Sequence, residues 1–168
     1  MPKIPMTQRG YKQLTQELSR LKSTDRPDVI AAIADARRHG DLSENAEYAA
    51  AKEKQRVIER RISELEQKIA DADVVHVRAP ADNSVVFGAC VTLFDEASER
   101  ELSYQIIGED EADIKNGFLS IESPLARGLL GKKQGESIEI TSPGGTKEYE
   151  ILSISYDIAQ GKAAPVSR

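Results

Sequence analysis

Tryptophan is absent from this chain of 168 residues, and cysteine occurs once, at Cys90. A lone cysteine excludes an intramolecular disulfide or a thiol cluster. Histidine is nearly as scarce: His39 and His76 lie far apart, and neither stands at metal-ligand spacing from a cysteine. Aromatics make up only 5%, so the core has to be built from Leu, Ile, Val and Ala. No apolar run approaches the ~20 residues of a membrane helix, and Met1-Pro2-Lys3-Ile4-Pro5 has no signal-peptide character; the expected address is cytoplasmic. A basic excess is lacking too. Lys and Arg number 23 against 28 Asp and Glu, a net charge of −5, which argues against general binding to a nucleic-acid backbone while leaving room for a local basic face. There is no phosphate loop and no serine nucleophile elbow.

What the chain has is periodicity. Tyr11, Leu14, Leu18 and Leu21 recur at spacings of three, four and three, the seam of a coiled coil, and Thr7 is placed to cap that helix. Pro27 predicts a kink or short break, after which the apolar positions resume in a shifted register at Ile30 and Ile33. His39-Gly40 predicts the stop. A second seam runs through Tyr48, Ala51, Gln55, Ile58, Ile62, Leu65, Ile69 and Ala72 without a break. The short connection makes the two helices antiparallel neighbours, each on the order of 45 Å long at 1.5 Å per residue.

After about Val75 the pattern changes. Residues 77–84 read as a linker. Short β-branched runs follow at 85–87, 89–94, 102–107, 118–121, 137–140 and 148–154, the last two flanking the turn signal Pro143-Gly144-Gly145. Ser123, Pro124 and Gly131 suit the N-cap, first position and C-terminal cap of one short helix. The fold class is therefore α+β. A coiled-coil hairpin over 1–76 precedes a small antiparallel β domain with one helix over 85–157, and the tail 158–168 is expected to be disordered.

Two acidic residues, Asp41 and Glu44, sit at the bend of the hairpin. Their spacing is that of a capping box with Asp in place of Ser or Thr, and the helix dipole favours both charges. They are also oxygen ligands of the kind Mg²⁺ prefers, although two carboxylates alone make a poor dedicated site and need a partner to complete it. Lys52, Arg56 and Arg60 recur at i, i+4 and i+8 on the second helix. That stripe fits either a phosphate backbone laid along the rod or a solvated coiled-coil flank, since Glu53, Glu59 and Glu64 are interspersed. Arg37 and Arg38 add positive charge just before the bend or complement the helix dipole. Cys90 reads as a small core residue.

The run Gly40-Asp41-Leu42-Ser43-Glu44-Asn45-Ala46-Glu47-Tyr48 resembles the hairpin-tip signature of the Gre transcript cleavage factors, and Ser123-Pro124-Leu125-Ala126-Arg127-Gly128-Leu129-Leu130-Gly131-Lys132 resembles that family's carboxy-terminal signature. Ile4-Pro5-Met6-Thr7, Gly108-Glu109-Asp110-Glu111-Ala112-Asp113 and Pro143-Gly144-Gly145 match as well, so the resemblance spans about residues 3–157. Within the family, residues 48–55 are similar to the GreA type rather than to GreB, whose hairpins carry a larger basic patch.

The resemblance implies a fold and a role. The second domain would be FKBP-like, without implying prolyl isomerase activity, and would dock on the rim of the secondary channel of bacterial RNA polymerase. Ser123, Pro124, Leu125, Ala126, Arg127, Leu129 and Leu130 would belong to the docking surface. The hairpin would enter the channel. Asp41 and Glu44 would stabilise the weakly held second Mg²⁺ of the polymerase and position the attacking water, so the polymerase hydrolyses its own backtracked RNA. Lys52 and Arg56, with Arg60 further along the stripe, would contact the extruded RNA 3′ end. The chain itself would be no enzyme, would carry no cofactor of its own, would have no membrane partner and would act as a monomer. An alternative from another class is a channel-binding regulator that inhibits or remodels the polymerase without cleavage. A prolyl isomerase or chaperone, and a bare coiled-coil dimerisation module, complete the readings the sequence leaves open.

Overall fold

The computed structural model describes residues 3–39 and 45–156, which divide into two compact units. One is Tyr11–Ala72; the other combines Ile4–Gly10 with the chain from Asp73 onward.

The first unit is a helical hairpin. Helix α1 (Gln8–Arg20) runs through a π turn, Leu21–Asp25, into α2 (Arg26–Arg37), and α3 (Ala46–Ala70) returns. The helices are antiparallel: Arg37 lies over the Tyr48 ring, Arg26 pairs with Glu59 and Lys22 with Glu66. Every position of the second seam is buried or half-buried, with Ile58, Ile62 and Leu65 in the core. In the first strand of the hairpin Leu14 and Leu21 are buried, as the periodicity predicts.

Beyond Leu21 the register shifts, as expected, and Ile33 is buried, but the expectation for Ile30 needs correcting. The heptad would continue at Asp25, Asp28, Ala32 and Asp35, but Val29, Ile33 and Ala36 are buried instead, each one residue later than the repeat, and Ile30 is 51% exposed. The cause is the π turn. Its Arg26 N–H bonds back five residues to the Leu21 carbonyl, so one extra residue is taken into the helix and all later side chains rotate on by one position. The predicted break at Pro27 is absent as well. Asp25 and Arg26 keep helical dihedrals, and Pro27, which has no N–H to donate, follows the π turn directly in a continuous helix.

In the second unit, strand β1 (Ile4–Thr7) pairs with β2 (Ala72–Val75) in a two-stranded sheet. Neither strand was legible in the sequence, which reads residues 1–76 as hairpin throughout. Thr7 caps α1 as predicted, its Oγ1 accepting from Gly10 N–H at 3.1 Å. A five-stranded sheet follows, with β3 (Cys90–Asp95), β4 (Arg100–Ile107), β5 (Phe118–Ser120), β6 (Ser137–Ser142) and β7 (Gly145–Ser155) in the order β5-β4-β3-β7-β6. All neighbours are antiparallel except β4 and β5, which run parallel. Residues 85–87 form no strand, and Val85 instead exchanges backbone bonds with Gly131 and Lys132. Cys90 is half-buried in β3.

One irregularity aligns the sheet with its core. Across from β3, Thr92 faces Ser153 while Leu93 faces Ile151, leaving Leu152 as an extra residue in β7. This bulge changes the phase of the alternation. Tyr149 and Ile151 point into the core before it, and Ile154 and Tyr156 pack against the core after it. Helix α4 (Pro124–Leu129) completes the core by adding Ala126 and Leu129 to Val91, Leu93, Ile106 and Ile151. Ser123 caps it, accepting from Ala126 N–H at 3.1 Å, and Gly131 follows it with φ +84°. No described helix is long and apolar enough to cross a membrane.

Candidate functional site

The acid pair Asp41 and Glu44, and Gly40 before them, lie outside the described residues, as does the tail 158–168. What the structure defines is the frame on either side of the pair. Helix α2 ends at Arg37, and α3 begins at Ala46. The cap of α3 is Asn45, which is extended (φ −86°, ψ 98°) and accepts from Tyr48 N–H at 3.0 Å. The capping-box expectation for Asp41 is thereby corrected: the cap sits four residues later, immediately before the alanine-rich start of α3. The Asn45 Nδ2 also donates to the Ala36 carbonyl at 2.7 Å. The Arg37 guanidinium lies 5.9 Å from the centre of the Tyr48 ring, within the range of a cation–π contact. His39 Nδ1 is 4.0 Å from a Glu47 oxygen. Among the described residues, no group of three or more His, Cys, Asp or Glu could hold a metal ion.

Along α3, the cations divide by what they touch. Arg61 makes a two-pronged pair with Glu17 of α1 at 2.7 and 2.9 Å, and Arg26 of α2 makes another with Glu59 at 2.8 Å on both prongs. These hydrogen bonds hold the Glu17 and Glu59 carboxyls below their ordinary range and push both guanidinium groups up. They lace the two sides of the hairpin. Lys52, Arg56 and Arg60, the three residues of the stripe, share one side of α3 and, among the described residues, bridge to no other helix. Arg56 folds onto Glu53 of its own helix at 2.6 Å, and Lys52 reaches Gln55 at 3.4 Å. Of the three interspersed acids, Glu59 and Glu64 therefore serve Arg26 and Arg61, and only Glu53 neutralises a member of the stripe.

The segment that the resemblance assigns to docking has two faces. Ala126 and Leu129 are wholly buried, so they hold α4 on the sheet and offer a partner nothing. Ser123 spends its hydroxyl on the cap. Pro124 and Arg127 are exposed, with Arg127 paired to Glu122 at 2.7 Å, and Leu125 and Leu130 are half-buried. The candidate surface thus shrinks to Pro124 and Arg127 with the outer flanks of the two leucines.

A cluster that the sequence reading left without a role centres on Glu111. Its carboxylate accepts from Thr7 N–H at 3.0 Å, from Gly108 N–H at 3.2 Å and from the Thr7 hydroxyl. Gly10 makes this possible, since a Cβ there would fall 2.2 Å from the Glu111 side chain. Arg9 packs over the Phe118 ring at 4.3 Å. The 104 residues between Thr7 and Glu111 explain why no local pattern announces the contact. Asn45 was discoverable, being an Asn directly before a run of helix formers, but the acids nearby drew the reading.

Residues 4–74 match the family described as Transcription elongation factor, N-terminal, and residues 73–156 match Transcription elongation factor, GreA/GreB, C-term. The chain is 58% identical over 156 residues to Transcription elongation factor GreA of Paracoccus denitrificans, covering 93% of this chain and 99% of that protein. It is 55% identical to the protein of the same name from Beijerinckia indica, with the same coverage. Among solved structures, the transcription factor Gfh1 is 25% identical, with a TM-score of 0.44 and coverage of 92% of this chain and 99% of that one.

Proposed function

Because this chain belongs to the GreA/GreB family of transcription elongation factors, we propose that it rescues arrested RNA polymerase by stimulating cleavage of backtracked RNA in the polymerase active site. The hairpin enters the secondary channel, and the bend delivers Asp41 and Glu44 to the reacting centre. There the two carboxylates supply oxygen ligands to a Mg²⁺ that the polymerase holds. Two carboxylates fall short of the six oxygens such an ion takes, so the donor set fits a shared ion and not a resident one. A divalent ion in this setting lowers the pKa of a bound water and so generates the nucleophile. The chain's part is to place the two oxygens and exclude bulk water, and the hydrolysis belongs to the polymerase.

The observation that carries this reading is the distribution of charge on the hairpin. Helix α3 has 25 residues, a reach of about 38 Å at 1.5 Å per residue. Its cross-helix arginine pairs keep the rod closed, and the stripe Lys52, Arg56 and Arg60 stays on one side, available to the phosphates of the extruded RNA 3′ end. Pro124 and Arg127, flanked by Leu125 and Leu130, form the surface that meets the channel rim. The protein works as a cytoplasmic monomer.

The test is a transcript cleavage assay on backtracked complexes. The double variant Asp41→Asn, Glu44→Gln should fold and bind polymerase as the parent does and should stimulate no cleavage at any Mg²⁺ concentration. Full cleavage by that variant removes the metal role. Slowed elongation by the parent chain, with no 3′ fragments released, would instead make it an inhibitory channel binder.

A further inference from the structure

Asn45 carries two hydrogen bonds that go in different directions. Its Oδ1 accepts from Tyr48 N–H at 3.0 Å within the first turn of α3, and its Nδ2 donates to the Ala36 carbonyl at 2.7 Å in the last turn of α2. The Ala36 carbonyl also accepts from His39 N–H at 3.2 Å, and the Ala36 side chain is buried. One short, planar amide therefore joins the two helix ends that flank residues 40–44.

A cap alone does not require this. Ser, Thr and Asp cap a helix about as well as Asn, since only an acceptor is needed. Ser and Thr can donate too, but from the same oxygen that accepts; of the good capping side chains, Asn alone carries acceptor and donor on two separate atoms. The choice of Asn at position 45 is therefore explained by the second bond and not by the first. The Arg37–Tyr48 contact ties the same two turns together, so the bridge belongs to a small closed frame.

We propose that Asn45 is a positioning residue for transcript cleavage. Its amide fixes the separation of the two helix ends between which Asp41 and Glu44 are carried, and so limits the error with which the acid pair is delivered. This rests on the role proposed above for the two carboxylates. Delivery to a reacting centre is sensitive to small displacements, because catalysis by placement fails quickly as reacting groups leave alignment.

Two variants separate the bridge from the cap. Asn45→Ser and Asn45→Asp both keep an acceptor for Tyr48 N–H; Asp has no donor for the Ala36 carbonyl, and Ser has one oxygen where Asn uses two separate atoms. In the cleavage assay, both should lower the maximal stimulated rate by roughly tenfold while the concentration of factor giving half the effect stays unchanged. Parental maximal rates in both variants would reduce Asn45 to a cap and overturn the proposal. A loss in Asn45→Asp alone would point to the added charge and overturn it too. So would a shift in the half-effect concentration with the maximal rate intact, since that is a docking defect. A second measurement stands apart from activity. In NMR spectra of the isolated protein, the Asn45 side-chain amide protons should exchange with water several-fold more slowly than those of the exposed Gln16. Equal rates would show that the bridge does not form. Should the parent chain stimulate no cleavage at all, the carboxylate role falls and the positioning role with it, while the exchange rates still report on the bridge.

Discussion

In the hairpin, the residue in excess of the heptad is absorbed by the π turn at Leu21–Asp25; in the sheet, the residue in excess of the alternation is absorbed by the bulge at Leu152. A helix that gains a residue rotates its later side chains by about 100° and carries on with a displaced stripe. A strand that gains a residue exchanges its two faces outright. The hairpin thus replaces Asp28, Ala32 and Asp35 by Val29, Ile33 and Ala36, whereas the sheet moves Ile154 and Tyr156 from one side to the other. The two units also differ in how they close. The hairpin has a single file of apolar residues and is laced by arginine pairs on its flanks, while the sheet encloses a cluster of side chains almost wholly withdrawn from water.

The strongest way to test the helical half of this comparison is to put a charge on either side of the displaced stripe. Val29→Asp places a carboxylate without a partner at a position 2% exposed; it should cost roughly 3 kcal/mol or more, enough to melt the hairpin. Ile30→Asp, one residue on, should change stability by less than about 0.5 kcal/mol. Thermal unfolding followed by circular dichroism at 222 nm reads both, and a reversed order would mean that the π turn does not set the phase.

The strand half is tested by deletion. Removing Leu152 takes away the bulge and leaves Ile154 two positions after Ile151, so plain alternation keeps Ile154 and Tyr156 on the core side. The Tyr156 hydroxyl, which donates to the Ser84 carbonyl at 2.5 Å, stays on that side too. With both side chains still facing the core, a change of less than about 1 kcal/mol is expected in chemical denaturation of the sheet unit. A large loss would show that Leu152 does more than absorb one residue in excess of the alternation.

The smallest effect is a difference in pH response. In the hairpin, arginine hydrogen bonds depress the Glu17 and Glu59 carboxyls. A depressed acid contributes stability above its unfolded value near 4.5 and loses it as pH falls through the lower folded value. In the sheet unit, burial first and the Asp95 carboxylate second raise the Tyr104 and Tyr149 hydroxyls. A raised group contributes stability below its unfolded value near 10, and that stability is lost as pH rises through the folded value. Methyl NMR should therefore show the hairpin loosening first in acid and the sheet first in alkali. Glu17→Gln should reduce the acid response, by only a few tenths of a kcal/mol, because the Glu17–Arg61 pair is largely open to screening water.

The parts legible in the sequence are those whose period is unbroken. The α3 seam from Tyr48 to Ile69, the β6–β7 hairpin around Pro143 and the capped α4 all stand where residue spacing put them, while Ala72, the expected last position of the seam, opens β2. The misplaced parts have physical reasons. Ile30 was chosen over Val29 because a period of 3.6 leaves no room for a bond that skips five residues. Strand β1 is four residues long and contains Pro5, so it lacks the length and composition of a strand, and it exists because β2 is there to pair with it. Asp41 was given the cap that Asn45 holds, since a capping-box spacing is a local sign and the Ala36 carbonyl is not. Ala126 and Leu129 were placed on a surface because a motif marks a segment without saying which of its side chains face inwards. The acid pair itself lies outside the described residues, and its assignment rests on sequence and kinship.

The pairing of β1 with β2 has a consequence for the architecture of the gene product. The chain leaves the sheet unit after one of these strands and re-enters it along the other, so the hairpin is an insertion into a discontinuous domain. Strands β1 and β2, beside which the chain leaves and rejoins the sheet unit, are hydrogen-bonded neighbours. A rod rooted in this way is a cassette: it can be shortened by whole heptads on both arms, or exchanged for another rod, at a pair of adjacent junctions, while the sheet that anchors it keeps every strand it has.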